Sequence, residues 1–335
     1  MNAAQIAEKL QMSLEIVNKK RTPTLHIAVP YNNNDWKKYS NQFIVIIKPE
    51  CLSKNSKETN NIINVVLDNL INKNIKISSA YSMNGPYLTQ NAIIENQYFT
   101  LNRYAHLGLG SIPLSIIKKF KHKHKDINII GAYNFLELYP EDFNEDSLER
   151  IAHQFGSEKL GNGSYLLELK HNNINYGILN AFHPHQKKHF CNENNNIIAL
   201  ECNSDIPYGQ LDEEIIGNFN PVYAKENSIR NILFRNQKVW EININTMYNG
   251  VHVSPSPLEG MKALLLYSKN IDFEETNLGS QLIKLGFNYI QIQNLLCNPL
   301  VEDNNEEATL FDKLEGKDTP QIIDYFSKSK VVYTV

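Results

Sequence analysis

Apolar residues Ile6, Leu10, Leu14 and Val17 recur at helical spacing, so an amphipathic helix is predicted over 3–19. Residues 42–48, Gln-Phe-Ile-Val-Ile-Ile-Lys, break that period. A short unbroken apolar run closed by Pro49 predicts a strand buried on both faces. Ile62, Ile63, Val66, Leu67 and Leu70 then place an apolar stripe on a helix over 57–72, and a strand returns at 75–80. Strand, helix, strand is the unit from which a sheet covered by helices is built. A further helix is predicted over 87–104.

The clearest hairpin spans 164–182, where two β-rich runs flank His171-Asn172-Asn173. Strands are also predicted at 196–202 and near 238–244, and helices at 256–268, 279–286 and 289–297. The tail from 302 to 315 is acidic and polar and is expected to be mobile. Residues 318–329 are expected to cap as a helix from Asp318, with Pro320 in the first turn. No internal repeat is visible.

Composition narrows the classes. The chain has 335 residues, 42% hydrophobic and 21% charged, enough for a sizeable core in a soluble protein. A net charge of −3 gives no field to gather nucleic acid, so nucleic acid is not an expected partner. The one basic cluster, at 118–126, reads first as a solvated helix end and second as a phosphate-binding face. No run of about eighteen apolar residues exists, so no membrane span is expected, and the start lacks the apolar stretch of a signal peptide. Cys51, Cys191, Cys202 and Cys297 are scattered without paired spacing. Neither zinc nor a disulfide framework is expected, and a reducing, cytoplasmic location fits best. The many asparagines read as a bias of the source genome. His185 and His189 stand four apart, near His183, which is ligand spacing on one helix face. No acidic partner accompanies them in sequence, so no metal site is assigned.

Three stretches carry candidate chemistry: Phe-Ile-Val-Ile-Ile-Lys-Pro-Glu at 43–50, Ile-Ile-Gly-Asn-Phe-Asn-Pro through Ile-Arg at 215–230, and Asn-Gly-Val-His-Val-Ser at 249–254. A lone loop histidine is ordinarily inert, a lone arginine is ordinarily in a surface ion pair, and a strand-end lysine ordinarily points to solvent. In this order, on this strand and loop context, the three stretches resemble the nucleoside diphosphate kinases. Ala-Phe-His-Pro at 181–184 resembles that family's Pro-Phe-Phe-Pro helix start, and Gln97-Tyr98-Phe99 its His-Tyr segment. Those two segments are close neighbours in the family and about eighty residues apart here.

The resemblance implies an α/β (α+β) fold: a ferredoxin-like antiparallel sheet sandwich of the nucleoside diphosphate kinase type, with an inserted α/β subdomain and helical extensions. It divides the chain into an N-terminal helical extension at 1–40, a core at 41–102 and 181–268, an insertion at 103–180 containing the hairpin, and a C-terminal helical extension at 269–335. It implies a phosphohistidine mechanism. His252 would be the nucleophile, with Lys48 and Arg230 on the phosphates. Tyr98 would lie near the transferred group, Asn249 would bond the sugar hydroxyl, Ser254 would sit beside the histidine, and Phe182 would stack on the base. The nucleotide, ATP or GTP, would carry Mg2+ between its distal phosphates. A small molecule or specialised nucleotide would be the acceptor. The family assembles into dimers and larger rings, and the additions at both ends leave homo-oligomerisation open. Neutral imidazole is a competent nucleophile near pH 7, and phosphoryl transfer asks mainly for positioning and positive charge.

The departures are specific. Glu213 falls where the family has a phosphate-holding arginine, and Phe219 where it has a threonine. Val253 replaces the glycine after the histidine. Ala263 falls where a carboxylate orients it, with Glu259 one turn earlier. The attacking end is kept and the diphosphate-holding end rebuilt. That pattern points to a divergent kinase or nucleotidyl-transferring relative with a changed acceptor. It leaves two alternatives, a non-catalytic nucleotide sensor and a conventional nucleoside diphosphate kinase.

Overall fold

The computed structural model describes residues 1–32, 35–52, 56–111, 126–161, 163–268, 271–303 and 306–328. The basic cluster at 118–126 lies, apart from Asp126, outside the described residues. In chain order the strands that build the two sheets below are β1 (Leu25–Val29), β2 (Asn41–Ile47), β3 (Lys76–Asn84), β4 (Asn128–Gly131), β5 (Glu158–Gly161), β6 (Ser164–His171), β7 (Ile174–Leu179), β8 (Asn196–Ser204) and β9 (Val251–Val253). The fold is mixed α/β with antiparallel and mixed sheets. By internal contacts the chain divides into two units: Met1–Ile93, Phe190–Glu302 and Leu310–Val335 form one, and Ile94–His189 with Asp303–Thr309 form the other.

In the first unit the sheet order is β1-β3-β8-β2-β9, and every neighbouring pair is antiparallel. The unbroken apolar run of β2 is buried along its whole length, as a strand covered on both faces must be. Its alternate residues serve different faces. Phe43, Val45 and Ile47 join Ile198, Leu200 and Cys202 of β8 in one core. That core is closed by Leu10 and Leu14 of the helix Ala3–Asn18, by Ile62, Ile63, Val66 and Leu67 of the helix Ser56–Asn72, and by Ile229 and Leu233 of the helix Ile229–Asn236. The other face carries Gln42, Ile44 and Ile46. His252 lies on that face, because β9 pairs it directly with Ile46. Glu201 of β8 is fully buried there and accepts hydrogen bonds from Gln42 Nε2 (2.9 Å), Asn203 Nδ2 (3.1 Å) and Ser79 Oγ (2.8 Å).

Helices Pro257–Tyr267, Asn277–Lys284, Tyr289–Leu296, Leu310–Leu314 and Thr319–Lys328 form a second core around Leu258, Leu282, Ile292, Leu314 and Ile322. Asn41 anchors the last of these. Its Oδ1 accepts from the Thr319 amide at 3.0 Å, while Asp318 Oδ1 accepts from Asn41 Nδ2 and the Tyr208 amide.

In the second unit the order is β4-β7-β6-β5, with β4 and β7 parallel and the other pairs antiparallel. The β6–β7 hairpin turns on Asn172 and Asn173, whose φ values of 49° and 61° suit the turn that matches strand twist. Its sheet packs Leu167, Tyr176 and Ile178 against Ala132, Phe135 and Leu148.

Three local expectations are corrected. Residues 238–244 are not a strand. Trp240, Ile242 and Ile244 are buried at alternate positions, which gives a strand-like pattern, but Glu241 has φ 53°. The amides of Trp240 and Ile242 bond back to the carbonyls of Asn236 and Gln237, so no ladder forms. The single helix over 87–104 is instead three, Gly85–Gln90, Ile93–Gln97 and Phe99–Leu107. Ala92 at φ 48° ends the first, and Asn91 Nδ2 takes the Tyr87 carbonyl. The tail between 302 and 315 forms strand Glu306–Thr309 and helix Leu310–Leu314, because Leu310, Phe311 and Leu314 are buried in the second core.

Candidate active site

β2 ends at Ile47, and Lys48 continues its extended backbone into Pro49. The Lys48 amide donates to the Gly250 carbonyl at 2.9 Å, extending the pairing of β2 with β9 by one step. Lys48 and His252 are therefore diagonal neighbours on one face of the sheet. The side chain of Lys48 is buried, and its ammonium donates to Asn249 Oδ1 at 2.7 Å. Asn249 Nδ2 in turn donates to the Phe219 carbonyl at 3.0 Å.

The turn before β9 depends on Gly250. Its φ is +79°, and a Cβ there would lie 2.4 Å from Leu233 Cδ1 and 3.1 Å from Cys51 Sγ. The Gly250 amide donates to Glu50 Oε1 at 2.8 Å. Glu50 is buried and was not singled out by sequence reasoning. Its signal was its place in Lys48-Pro49-Glu50, two residues beyond the lysine.

Arg230 is buried at the start of its helix. Nη1 donates to the Gly217 carbonyl at 2.6 Å and Nη2 to the Val251 carbonyl at 3.0 Å. It thus ties the loop at 217 to β9. Gly217 has φ +97°, and a Cβ there would meet Ser228 Oγ at 2.4 Å. Ser254 is buried beside Ile44, and its hydroxyl lies 3.4 Å from that residue's amide and 3.5 Å from its carbonyl.

Electrostatics follow from this crowding. Burial pulls the Lys48 pKa down to about 8, Glu50 opposes the fall, and Arg230 adds to it. The His252 ring is half-buried by surface but enclosed by protein on most sides. Lost hydration, then the charges of Lys48 and Arg230, push its pKa down to about 3. At neutral pH the ring is uncharged, with the charges of Lys48 and Arg230 close to it.

The structure brings together Lys48, Arg230, Asn249 and His252, with Ser254 two residues beyond the histidine. Tyr98 and Phe182 belong to the second unit. Tyr98 precedes the helix Phe99–Leu107, and Phe182 packs edge-on against Tyr165 at 5.5 Å. Glu213 is exposed, and Ala263 is buried in the helix Pro257–Tyr267. Glu259 of that helix lies near Glu315, Lys262 and Asp312, and burial first, then Glu315, raises its pKa to about 8.

The histidines of the helix His183–Cys191 have protein partners. His183 is fully buried between Gln186 Oε1 (3.1 Å) and Asn102 Oδ1 (3.3 Å), and burial lowers its pKa to about 4. His185 Nδ1 lies 2.8 Å from Asp146, which Lys188 also contacts at 2.8 Å. Among the described residues no group of three or more His, Cys, Asp or Glu side chains comes together to hold a metal ion. No helix is long and apolar enough to cross a membrane among the described residues. The chain matches no protein-family model, no curated protein and no solved structure.

Proposed function

We propose that the first unit binds a nucleoside triphosphate, ATP or GTP, and transfers a phosphoryl group through His252 to a small-molecule or specialised nucleotide acceptor. The observation that carries this reading is the convergence at one sheet end of a neutral His252 with buried Lys48 and Arg230, Lys48 being held by Asn249. A neutral imidazole between fixed cations is suited to attack phosphorus, because the cations offset charge on the phosphoryl oxygens. In the first half-reaction a ring nitrogen bonds to the terminal phosphorus and the bond to the bridging oxygen breaks, releasing the nucleoside diphosphate. In the second, an acceptor oxygen takes the phosphorus, the P–N bond breaks, and the acceptor proton leaves to solvent.

The fold supports the same reading. With the second unit, which intervenes in the chain between β3 and β8, set aside, the main elements β2, the helix Ser56–Asn72, β3, β8, the helix Ile229–Asn236 and β9 run strand-helix-strand-strand-helix-strand, with sheet order β3-β8-β2-β9. That is the order of a ferredoxin-like sandwich, and we assign the first unit to the nucleoside diphosphate kinase type of it, with β1 added at the β3 edge. Magnesium would arrive on the nucleotide phosphates and supply charge neutralisation there. Glu50, the carboxylate beside Lys48, accepts from the Gly250 amide. A cytoplasmic setting suits a nucleotide-using protein with four free cysteines.

A second reading, a nucleotide sensor without turnover, is favoured by one observation. Two guanidinium nitrogens of Arg230 donate to main-chain carbonyls instead of facing a phosphate. One experiment separates the two readings. The protein and His252→Ala are incubated with γ-labelled and, separately, α-labelled ATP and GTP with magnesium. Acid-labile label from the γ position, lost in the variant, supports phosphoryl transfer. Label from the α position means nucleotidyl transfer. Binding without label in either case removes the covalent intermediate and leaves direct transfer between two bound substrates or a sensor.

A further inference from the structure

Phe219 is 65% exposed, and Val222 and Tyr223 beside it are 60% and 75% exposed. Large apolar side chains exposed close together mark an interaction site more often than ones scattered singly. This loop is fixed. Arg230 holds the Gly217 carbonyl and Asn249 holds the Phe219 carbonyl. The Asn220 amide donates to Asn218 Oδ1 at 2.9 Å, and the Val222 amide to Asn220 Oδ1 at 3.1 Å. Two of the four candidate site residues thus spend hydrogen bonds on locating Phe219. Asn249 does so with the same amide group that holds the Lys48 ammonium. The arrangement keeps an aromatic ring in solvent at a set position, one side chain away from the cationic cluster.

We infer that Phe219 is a stacking platform for the planar base of the ligand whose phosphates meet Lys48 and His252, so that the base is read by the 217–224 loop. The inference rests on the nucleotide reading above and names the part of the ligand that this loop takes. Stacking on an aromatic ring is tolerant of base identity, since every base has a π-face. The site would therefore accept purine nucleotides with little preference between them. Phe182, the aromatic assigned to this role from sequence, packs against Tyr165 in the second unit, and no role in base recognition is asked of it.

Calorimetric titration with Mg-ATP and, separately, inorganic tripolyphosphate tests both layers. Wild-type protein is expected to bind both ligands in a Lys48-dependent way, with ATP about tenfold tighter. Phe219→Ala is expected to remove that preference and leave tripolyphosphate affinity unchanged, and Phe219→Trp to preserve it. Circular dichroism of the variants checks that they are folded. If ATP and tripolyphosphate bind equally to wild type, or Phe219→Ala keeps the preference, Phe219 is no platform and the phosphate reading stands. If neither ligand binds, the nucleotide reading falls and takes this inference with it. A Phe219→Ala variant that retains the preference but changes sedimentation would mark the loop as a contact between copies of the chain.

Discussion

Lys48 Nζ donates to Asn249 Oδ1 at 2.7 Å across 201 positions of sequence. The bond closes the candidate site, because Lys48 follows the last residue of one strand and Asn249 opens the turn into the strand paired with it. A buried ammonium without such a partner would be costly. Burial pulls its pKa down to about 8, and the nearby Glu50 carboxylate opposes the fall.

That value sets a pH dependence. Lys48 is charged in the free protein below pH 8 and loses its proton above it. Affinity for ATP is expected to hold from pH 6.5 to 8 and to fall up to tenfold per unit above that. Calorimetry across the range checks this, and Lys48→Met should bind weakly with no fall in the same window. An unchanged wild-type affinity up to pH 9.5 would remove Lys48 from the phosphate contact.

Glu50→Gln keeps an acceptor for the Gly250 amide and removes the charge that opposes the fall of the Lys48 pKa. The midpoint of the binding profile should move below pH 8 while thermal stability changes little. Glu50→Ala should also lower stability, by about 1–3 kcal/mol, since the buried amide loses its acceptor.

Gly250→Ala tests the turn itself. The new methyl meets Leu233 at a left-handed backbone position. A loss of about 2 kcal/mol or more in denaturant unfolding is expected, together with loss of nucleotide binding. A variant of wild-type stability and affinity would mean that the turn is not needed to position Asn249 and His252.

His183 carries an acid-stability effect. Its pKa is about 4 in the folded chain against an ordinary 6.5. Between those values the unfolded chain binds a proton that the folded chain does not, so stability falls as pH drops from 6.5 towards 4. The loss amounts to about 3 kcal/mol. His183→Gln should flatten this part of the stability curve in unfolding experiments at pH 7 and pH 4.5. His252, whose pKa is also lowered by burial and then by Lys48 and Arg230, adds to the same loss of stability on the acid side.

Periodicity made most of the scaffold legible. β2, the helix Ser56–Asn72 and the β6–β7 hairpin each carry one dominant spacing, and their turns carry matching chemistry in Pro49 and Asn172-Asn173. It misread 238–244, where alternate burial comes from a loop lying on the core and main-chain bonds close locally. The tail at 302–315 looked polar because its few apolar residues, Leu310, Phe311 and Leu314, are the ones buried. For the candidate site, short motifs named Lys48, Arg230, Asn249 and His252, which the sheet brings together. They could not show that Arg230 bonds Gly217 and Val251, or that Glu50 receives the Gly250 amide. Those contacts join segments that only the folded sheet brings side by side.

The most direct measurement is localisation of a phosphoryl group by tandem mass spectrometry after brief incubation with Mg-ATP, handled at neutral to basic pH. The site as built should yield an acid-labile phosphoryl group on His252 in the wild-type protein and none in His252→Ala. A wild-type protein that turns over an acceptor with His252 unmodified, and a His252→Ala variant that turns over equally well, would contradict it.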